Sequence, residues 1–463
     1  MRGHRSSLRD IVRRARVPVL LAAVLAMAAA FAAPASAAPL HPPIWVTTVH
    51  GDGNAYDAAT ALAVSAGGSL FSCGYIYLDA TGDDVTVARW DDAPLGWSRT
   101  WDGPAHRADT AGDIAIGPSG SVYVGGTTQN AAGNNDILLL KYGQDGTFKW
   151  RAIWRGAHAS WEGGLKLAVD RQENVLVAGT RRAGATTGRI QMVLLKYDKE
   201  GHLLWARIYA RTDANLTLHD FCLDVFGNAY LVGDVSVGRL DGVIACYSPA
   251  GVRRWARTYD DPLHGRDSFS SVCAVRGGGV YVAGVAGAGR GGSDCLVLRY
   301  TAAGVRTLTK RLGVGDGKRQ WLNDVAVDAR GRVAVCGSWQ AAATGMDTYA
   351  AVLTSLGVVV WSHRYDGGYS SPDEARVLTI DSLNRVCVAS ELRPDPGEAE
   401  QWGVYAFSTL GTLRWYSKWP DPLTGVMSVR DIVSYHASNV WVCGSDFVAP
   451  ASGGDQLLLG WAL

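Results

Sequence analysis

Residues 113–154 read DIAIGPSGSVYVGGTTQNAAGNNDILLLKYGQDGTFKWRAIW, which is four short apolar segments separated by turns and one longer polar loop. The segments are rich in leucine, β-branched and aromatic residues, and Gly-containing turns follow the first and third of them. This pattern predicts a four-stranded antiparallel meander. Strands this short cannot bury both faces of their sheet alone, so the unit must stack on equivalent sheets.

The same unit returns eight times along the chain. Its most regular position is the small residue that ends each second strand, and these residues are 51 to 54 apart: Gly74, Gly126, Gly179, Gly233, Gly284, Gly337, Ser390 and Gly444. A fixed period of this length indicates a repeat architecture. Radial stacking of four-stranded sheets makes a propeller, so we predict an all-β, eight-bladed β-propeller.

The two ends of the chain predict how the ring closes. The eighth unit stops at Asp455 to Leu463, which is a third strand without a fourth, whereas Ile44 to Val49 reads as a fourth strand that precedes any first strand. We expect the N-terminal strand to complete the last blade. The ring would then contain thirty-two strands and leave no long sheet edge exposed.

Aromatic pairs four residues apart recur in the fourth strand of the unit. Both rings of a pair face the same side of a strand, because side chains alternate with a period of two. We therefore expect them to pack blade against blade rather than to stack on a ligand. Leu308 replaces the first ring in the fifth unit. The pairs are Trp97 and Trp101, Trp150 and Trp154, Trp205 and Tyr209, Trp255 and Tyr259, Trp361 and Tyr365, and Trp415 and Trp419.

The first 37 residues read as an export signal. Six arginines precede an apolar run from Val17 to Ala33 and a small-residue site at Ala35 to Ala37, so we expect cleavage after Ala37. An uncleaved membrane anchor is the alternative, but the run is short and is broken by Pro18 and Pro34. We predict a secreted, extracellular or cell-surface protein with a single propeller domain at residues 38–463.

Charge and cysteine usage limit the classes of partner. The full chain has a formal net charge of +1, and residues 38–463 carry −4 because the signal holds six arginines and one aspartate. Without a basic patch, nucleic acid and membrane are poor partners, and we expect a monomer. The eight cysteines mostly stand where other repeats have alanine, glycine or valine, which favours small buried side chains over disulfides.

Two segments of the repeat resemble a known family. The units from Ala115 to Gly126 and from Asp136 to Trp150 are similar to the bacterial secreted β-propeller repeat called the SBBP type. This resemblance covers nearly all of residues 38–463 and implies the propeller fold, but the family has no single activity. The spacing of Gly201 to Trp205 is also similar to the tryptophan-docking motif of eight-bladed quinoprotein (PQQ-like) dehydrogenases. Those enzymes typically carry an adjacent cysteine pair, which this chain lacks.

The longer loops should share one face of the propeller, since the fourth-to-first and second-to-third connections emerge together. Functional groups concentrate on such loops. Aromatic rings there could stack on sugars or peptides, or they could pack over neighbouring loops. The candidate ligand-binding residues are His106, His158, Trp161, His264, Trp321, Trp339 and Trp402.

Acidic residues recur 17 or 13 positions before the anchor of each blade. They place at least one carboxylate near the start of every first strand, and we expect a ring near the channel mouth. Oxygen-rich rings suit Ca²⁺. The alternative is that each carboxylate accepts backbone N–H bonds and joins neighbouring blades. The candidate metal residues are Asp57, Asp109, Asp113, Glu162, Asp220, Asp267, Asp324, Asp373 and Asp431.

Regular repetition without a unique reactive cluster favours binding over catalysis, because an active site requires a unique constellation. The leading hypothesis is a secreted propeller whose long-loop face binds a protein, a peptide or a glycan, with no required cofactor. The alternative is an extracellular enzyme that acts at the acidic channel mouth, either a quinoprotein-like oxidoreductase or a glycan lyase or hydrolase. No catalytic residue is assigned from the sequence.

Overall fold

The computed structural model describes residues 39–463 except 50, 52–55, 92–94, 157–161, 185–187, 289–290, 314–316, 342–344, 368–371, 394–399, 421–426 and 448–453. The described residues form thirty-two β-strands in eight antiparallel sheets of four. The predicted eight-bladed β-propeller is confirmed. None of these residues belongs to a helix that is long and apolar enough to span a membrane.

Each blade is a meander whose strands follow one another in the chain. The first strands are β2 (Ala58–Val64), β6 (Asp109–Ile116), β10 (Glu162–Val169), β14 (Asn215–Leu223), β18 (Ser268–Ala274), β22 (Gln320–Val327), β26 (Glu374–Ile380) and β30 (Ser428–Tyr435). The second strands are β3 (Leu70–Leu78), β7 (Val122–Gln129), β11 (Val175–Arg182), β15 (Ala229–Val237), β19 (Val280–Ala288), β23 (Val333–Gln340), β27 (Val386–Leu392) and β31 (Asn439–Phe447).

The outer half of each blade holds the third and fourth strands. The third strands are β4 (Gly82–Trp90), β8 (Asn135–Tyr142), β12 (Ile190–Tyr197), β16 (Arg239–Tyr247), β20 (Gly292–Tyr300), β24 (Met346–Leu353), β28 (Gln401–Phe407) and β32 (Gly454–Ala462). The fourth strands of blades 1 to 7 are β5 (Leu95–Trp101), β9 (Phe148–Trp154), β13 (Leu203–Tyr209), β17 (Arg253–Tyr259), β21 (Arg306–Leu312), β25 (Val359–Tyr365) and β29 (Leu413–Pro420).

The ring closes through the N-terminal strand, as predicted. Strand β1 (Trp45–Val49) pairs antiparallel with β32, from Trp45 opposite Gly460 to Val49 opposite Gln456, and so becomes the fourth strand of blade 8. Around the axis each first strand contacts the first strands of both neighbouring blades, and β2 contacts both β6 and β30. The eight first strands therefore surround a central channel.

The hydrophobic core lies between the blades rather than within them. Eight buried clusters each combine residues from two adjacent blades, for example Phe71 and Val87 of blade 1 with Ile114 and Leu140 of blade 2. Each sheet thus buries both faces against its neighbours. All eight cysteines are free thiols, and all but Cys222 and Cys273 are buried.

Tryptophans of the fourth strand clamp a blade to the next one at five junctions, as the sequence predicts. A Cβ atom added to the facing turn glycine would lie 2.4 to 2.9 Å from the indole ring, and every one of these glycines has a positive φ. The indole N–H of Trp97 donates to the carbonyl of Gln144 at 2.8 Å, and Trp150 and Trp255 make the same bond. The pairs are Trp97 with Gly146, Trp150 with Gly201, Trp205 with Gly251, Trp255 with Gly304, and Trp361 with Gly411.

Gly251→Ala should destabilise the propeller at the junction of blades 3 and 4. Its φ is +76°, and an added Cβ would lie 2.9 Å from the Trp205 ring. The left-handed backbone costs about 1 kcal/mol for alanine, and overpacking typically adds about 1–3 kcal/mol. Chemical denaturation measures the loss. Gly331→Ala is the matched control, because its φ is +78° and nothing lies within 4 Å. Equal losses in both variants would contradict the clamp.

Candidate functional site

The nine predicted acidic positions form two sets in the structure. All eight first strands contain a β-bulge at the same point, and four carboxylates directly follow it in blades 2, 4, 6 and 8. These channel carboxylates are Asp113, Asp220, Asp324 and Asp431. The other five stand at the starts of first strands on the long-loop face: Asp57, Asp109, Glu162, Asp267 and Asp373.

Each channel carboxylate accepts two backbone N–H bonds from two different blades. Oδ1 of Asp220 accepts the N–H of Phe221 at 2.8 Å, and Oδ2 accepts the N–H of Val272, on the next blade, at 2.8 Å. The other three repeat this pattern at 2.7 to 3.0 Å: Asp113 with Ile114 and Leu167, Asp324 with Val325 and Leu378, and Asp431 with Ile432 and Leu62. Four carboxylates thus satisfy one amide next to the bulge in each of eight blades.

Lys166 occupies the equivalent position in blade 3. The negative charges of Asp113, Asp220, Asp431 and Asp324 raise its pKa, whereas burial lowers it. Sequence analysis missed this lysine, although it precedes the anchor Gly179 by the same 13 residues that separate the channel carboxylates from their own anchors. The channel therefore holds one ammonium group among four carboxylates.

The channel carboxylates sit in a poorly hydrated environment. Burial raises the pKa of Asp113 and Asp220, and it raises the pKa of Asp431 to about 7. For Asp431, the amide of Leu62 and the charge of Lys166 act in the opposite direction but do not outweigh burial. Asp113, Asp220 and Asp431 consequently hold protons more tightly than they would in water.

The second set ties long loops to the sheets. Asp57 is buried and accepts the amide of Gly51, six residues earlier, at 2.8 Å and the amide of Tyr77, twenty residues later, at 2.6 Å. Asp267 binds the amides of Asp261 and Gly287 in the same way, and Asp373 those of Gly367 and Arg393. Asp109 accepts the amide six residues earlier, from Gly103, but does not accept the amide twenty residues later. Glu162 is the first residue of β10.

A cavity of about 250 Å³ lies where blades 2, 3 and 4 meet the channel. Polar groups on its wall are the hydroxyls of Thr110 and Thr127, which are 3.0 Å apart, the ammonium of Lys166 and the imidazole of His219. Leu165 and Leu218 supply apolar surface. A second described cavity, about 10 Å³ between blades 6 and 7, has room for about one water molecule.

His219 is the bulge residue of blade 4 and is held by two acceptors. Its Nδ1 lies 2.8 Å from the Phe269 carbonyl, and its Nε2 lies 3.3 Å from Oδ2 of Asp234. Burial raises the pKa of Asp234, while the charge of His219 lowers it. The two side chains form an ion pair when the imidazole is protonated, at the edge of the cavity that contains Lys166.

A separate polar network lines the channel in blades 6 and 7. Arg376 pairs with Glu374 at 3.0 Å and with Glu391 at 2.7 Å. The indole N–H of Trp321 donates to Glu374 at 3.0 Å, and the Asn323 amide donates to the same oxygen at 2.9 Å. Trp321 is half-buried, so part of its side chain remains exposed to solvent.

The predicted ligand-binding residues do not converge on one site. His106 and His264 are exposed, and each places Nδ1 next to the aspartate four residues earlier, Asp102 or Asp260. Trp339 is half-buried and packs 4.8 Å from the ring of Tyr349. His158 and Trp161 lie outside the described residues.

The prediction of an accessible ring was wrong for Trp402. This side chain is fully buried in the cluster between blades 7 and 8, where its ring packs on Gly444. It belongs to the third strand β28, whose residues 402–407 are all buried because neighbouring blades cover both faces of the sheet. Trp402 is therefore a core residue of the blade junction.

Comparison with known proteins supports the fold only. The sequence matches no model of a known protein family and no curated protein, so the resemblance to SBBP and quinoprotein repeats stays a prediction. Polysaccharide lyase Uly1 has a similar structure, with a TM-score of 0.50 and 10% identity over 91% of this chain and 100% of that one. The WD40 domain of SCAP from fission yeast gives 0.49 and 11%, over 90% and 98%.

Asp431→Asn should flatten the pH dependence of stability between about pH 4 and pH 7. The folded-state pKa of Asp431 is about 7, above the value of about 3.9 expected in the unfolded chain. The folded state then binds this proton more tightly, so the free energy of unfolding falls as pH rises, by at most about 1.4 kcal/mol per unit. Denaturant titrations across this range test the slope. An unchanged slope in the variant would contradict the assignment.

Proposed function

We propose that this protein is a secreted binding protein that takes a carboxylate-bearing glycan at the long-loop mouth of the channel. The observation that carries this proposal is the cavity of about 250 Å³ between blades 2, 3 and 4. It departs from the repeat, because Lys166 has no basic counterpart in the other blades, and His219 stands where blades 7 and 8 have Arg376 and Arg430. Function tends to reside where a regular structure breaks its own pattern.

The groups on the cavity wall suit an acidic sugar. The ammonium of Lys166 can pair with a carboxylate, and the hydroxyls of Thr110 and Thr127 can both donate to and accept from sugar hydroxyls. Leu165 and Leu218 offer apolar surface for the C–H face of a sugar ring. A few convergent polar groups on a partly apolar wall are typical of small-molecule sites.

The size of the cavity favours the end of a longer ligand. Pockets that enclose a drug-sized molecule usually measure about 300–1,000 Å³, which exceeds this cavity. One sugar unit would therefore enter the channel while the rest of the chain crosses the long-loop face. The half-buried ring of Trp321 lines the same channel and provides a surface on which a further sugar could stack.

The hydrogen bonds of the channel support binding rather than hydrolysis. Glycoside hydrolysis typically needs two carboxyl groups that act on the substrate. Among the described channel residues, both oxygens of Asp113, Asp220, Asp324 and Asp431 accept backbone amides, so these carboxylates are committed to the fold. Secretion rests on the export signal predicted in residues 1–37.

A glycan array probed with residues 38–463 tests the proposal. We expect uronate-containing oligosaccharides to bind and neutral ones of the same length to bind weakly. His219→Gln should weaken binding by about tenfold, because it removes the imidazole from the cavity edge, and tenfold corresponds to about 1.4 kcal/mol. His202→Gln is the matched control, since His202 is an exposed histidine on the opposite face that is held by Asp198.

Two results would overturn the proposal. One is an array on which no acidic glycan binds, and the other is equal binding by the His219→Gln and His202→Gln variants. If a protein or peptide ligand is recovered and its binding does not depend on the cavity, the binding site lies on the outer loops instead.

The enzyme hypothesis is favoured by one observation, the His219 and Asp234 pair beside Lys166. A lyase needs a base near a carboxylate that has been neutralised, and these three groups could supply both functions. Mass spectrometry of the same glycans after incubation separates the two hypotheses. Unsaturated products that disappear in His219→Gln would establish catalysis, and intact glycans would favour binding.

A further inference from the structure

Three aspartates meet on the long-loop face between blades 1 and 2. Asp84 belongs to the third strand of blade 1, Asp102 follows its fourth strand, and Asp109 begins the first strand of blade 2. One carboxylate oxygen from each lies within 4.8 Å of the other two. Asp84 and Asp109 are 1% and 0% exposed, and Asp102 is half-buried. The cluster is therefore nearly closed to solvent, with Asp102 at its opening.

Each of these carboxylates has one oxygen without a partner. Oδ2 is bonded in all three, to the hydroxyl of Thr81 for Asp84, to the imidazole of His106 for Asp102 and to the amide of Gly103 for Asp109. Oδ1 of all three is buried and accepts no hydrogen bond from any described residue. Thr128 lies close enough to lower the pKa of Asp109 but does not make a hydrogen bond to Oδ1. Buried polar atoms rarely lack a hydrogen-bond partner, so three such atoms in one cluster require an explanation.

The missing bond at Asp109 is specific to this junction. In the equivalent residues Asp57, Asp267 and Asp373, Oδ1 accepts the amide twenty residues later. In blade 2 that amide belongs to Gln129, and it binds the carbonyl of Ala108 at 3.0 Å instead. The local backbone thus leaves Oδ1 of Asp109 available inside the cluster.

The neighbouring blade contains a cationic side chain at the position equivalent to Asp102. In blade 2, Asp136 corresponds to Asp84, and Arg155 stands close to the position of Asp102 and pairs with Asp136 at 2.9 Å. No Lys or Arg ion pair to Asp84, Asp102 or Asp109 occurs among the described residues. Burial, together with the charges of Asp84 and Asp102, raises the pKa of Asp109 to about 6. The cluster thus lacks the counter-charge that the chain supplies in the neighbouring blade.

We propose that Asp84, Asp102 and Asp109 bind one Ca²⁺ ion, each through one carboxylate oxygen. Ca²⁺ prefers oxygen ligands at 2.3–2.6 Å, so two oxygens on one ion lie at most about 5 Å apart, which the 4.8 Å limit satisfies. Three hard anionic oxygens without nitrogen or sulfur ligands favour Ca²⁺ over transition metals. Water would complete the coordination at the open side next to Asp102. The site is independent of the proposed glycan site, and it would order the loop that carries His106.

Calorimetric titration of the EDTA-treated and dialysed protein with CaCl₂ tests the site. We expect one ion per chain with a dissociation constant on the order of 10⁻⁴–10⁻³ M or lower, as in extracellular calcium modules. CaCl₂ should also raise the melting temperature, because an ion that binds only the folded state stabilises it. Asp84→Asn should weaken the affinity about tenfold or more, since it replaces an anionic ligand with a neutral one.

Asp241→Asn is the matched control. Asp241, Asp260 and Asp267 form an equivalent cluster between blades 4 and 5, but both oxygens of Asp267 accept amides. Affinity that survives Asp241→Asn and is lost in Asp84→Asn supports the site. Asp102→Asn, at the half-buried position, provides the same test if Asp84→Asn does not fold. Absence of saturable binding, or equal affinity in Asp84→Asn and the wild type, would overturn the proposal.

Discussion

The bonds between four aspartates and eight backbone amides hold the inner ring of this propeller together. A β-bulge interrupts the ladder in every first strand, and a buried amide without an acceptor costs about 1–3 kcal/mol. A carboxylate has two oxygens, so one aspartate serves its own blade and the next. Placing such a residue in alternate blades satisfies the whole ring with half the number of buried charges, and Lys166 compensates part of the charge that remains. At the periphery, indole rings pack on turn glycines of the next blade and hold neighbouring blades together.

This arrangement separates structural acidic residues from available ones. Both oxygens of Asp220 and its three counterparts already accept backbone amides, whereas Asp84, Asp102 and Asp109 each keep one oxygen without a partner. The same reasoning applies to the cavity. Lys166 stands at a position where the other blades carry alanine, serine, valine or aspartate, and no other blade has a histidine at the position of His219. Both proposals therefore rest on departures from a regular pattern, whose regular members are explained by the fold.

The architecture could be predicted because the repeat encodes it. The anchor glycines, the turn glycines and the Trp positions together determined the blade number, the closing strand and the clamps between blades. The site could be predicted less well. Counting back from the anchors found the acidic residues but did not separate the channel carboxylates from the acidic residues at the strand starts. The bulge lies between these two positions, which are 13 and 17 residues before the anchor, and places them in different surroundings. Trp402 was misplaced because a strand residue next to a long loop can still face the core. The free oxygen of Asp109 depends on where the Gln129 amide points, which no local pattern reveals.

Amide hydrogen exchange in Asp220→Asn tests the account most directly. The asparagine side chain retains one acceptor oxygen but presents an NH₂ group to the second amide, so one of the two bonds must be lost. The account predicts faster exchange at Phe221 or Val272, confined to the junction of blades 4 and 5, with protection retained at Leu62 and Leu167. Unchanged protection at both Phe221 and Val272 would contradict the claim that the carboxylates hold the ring together.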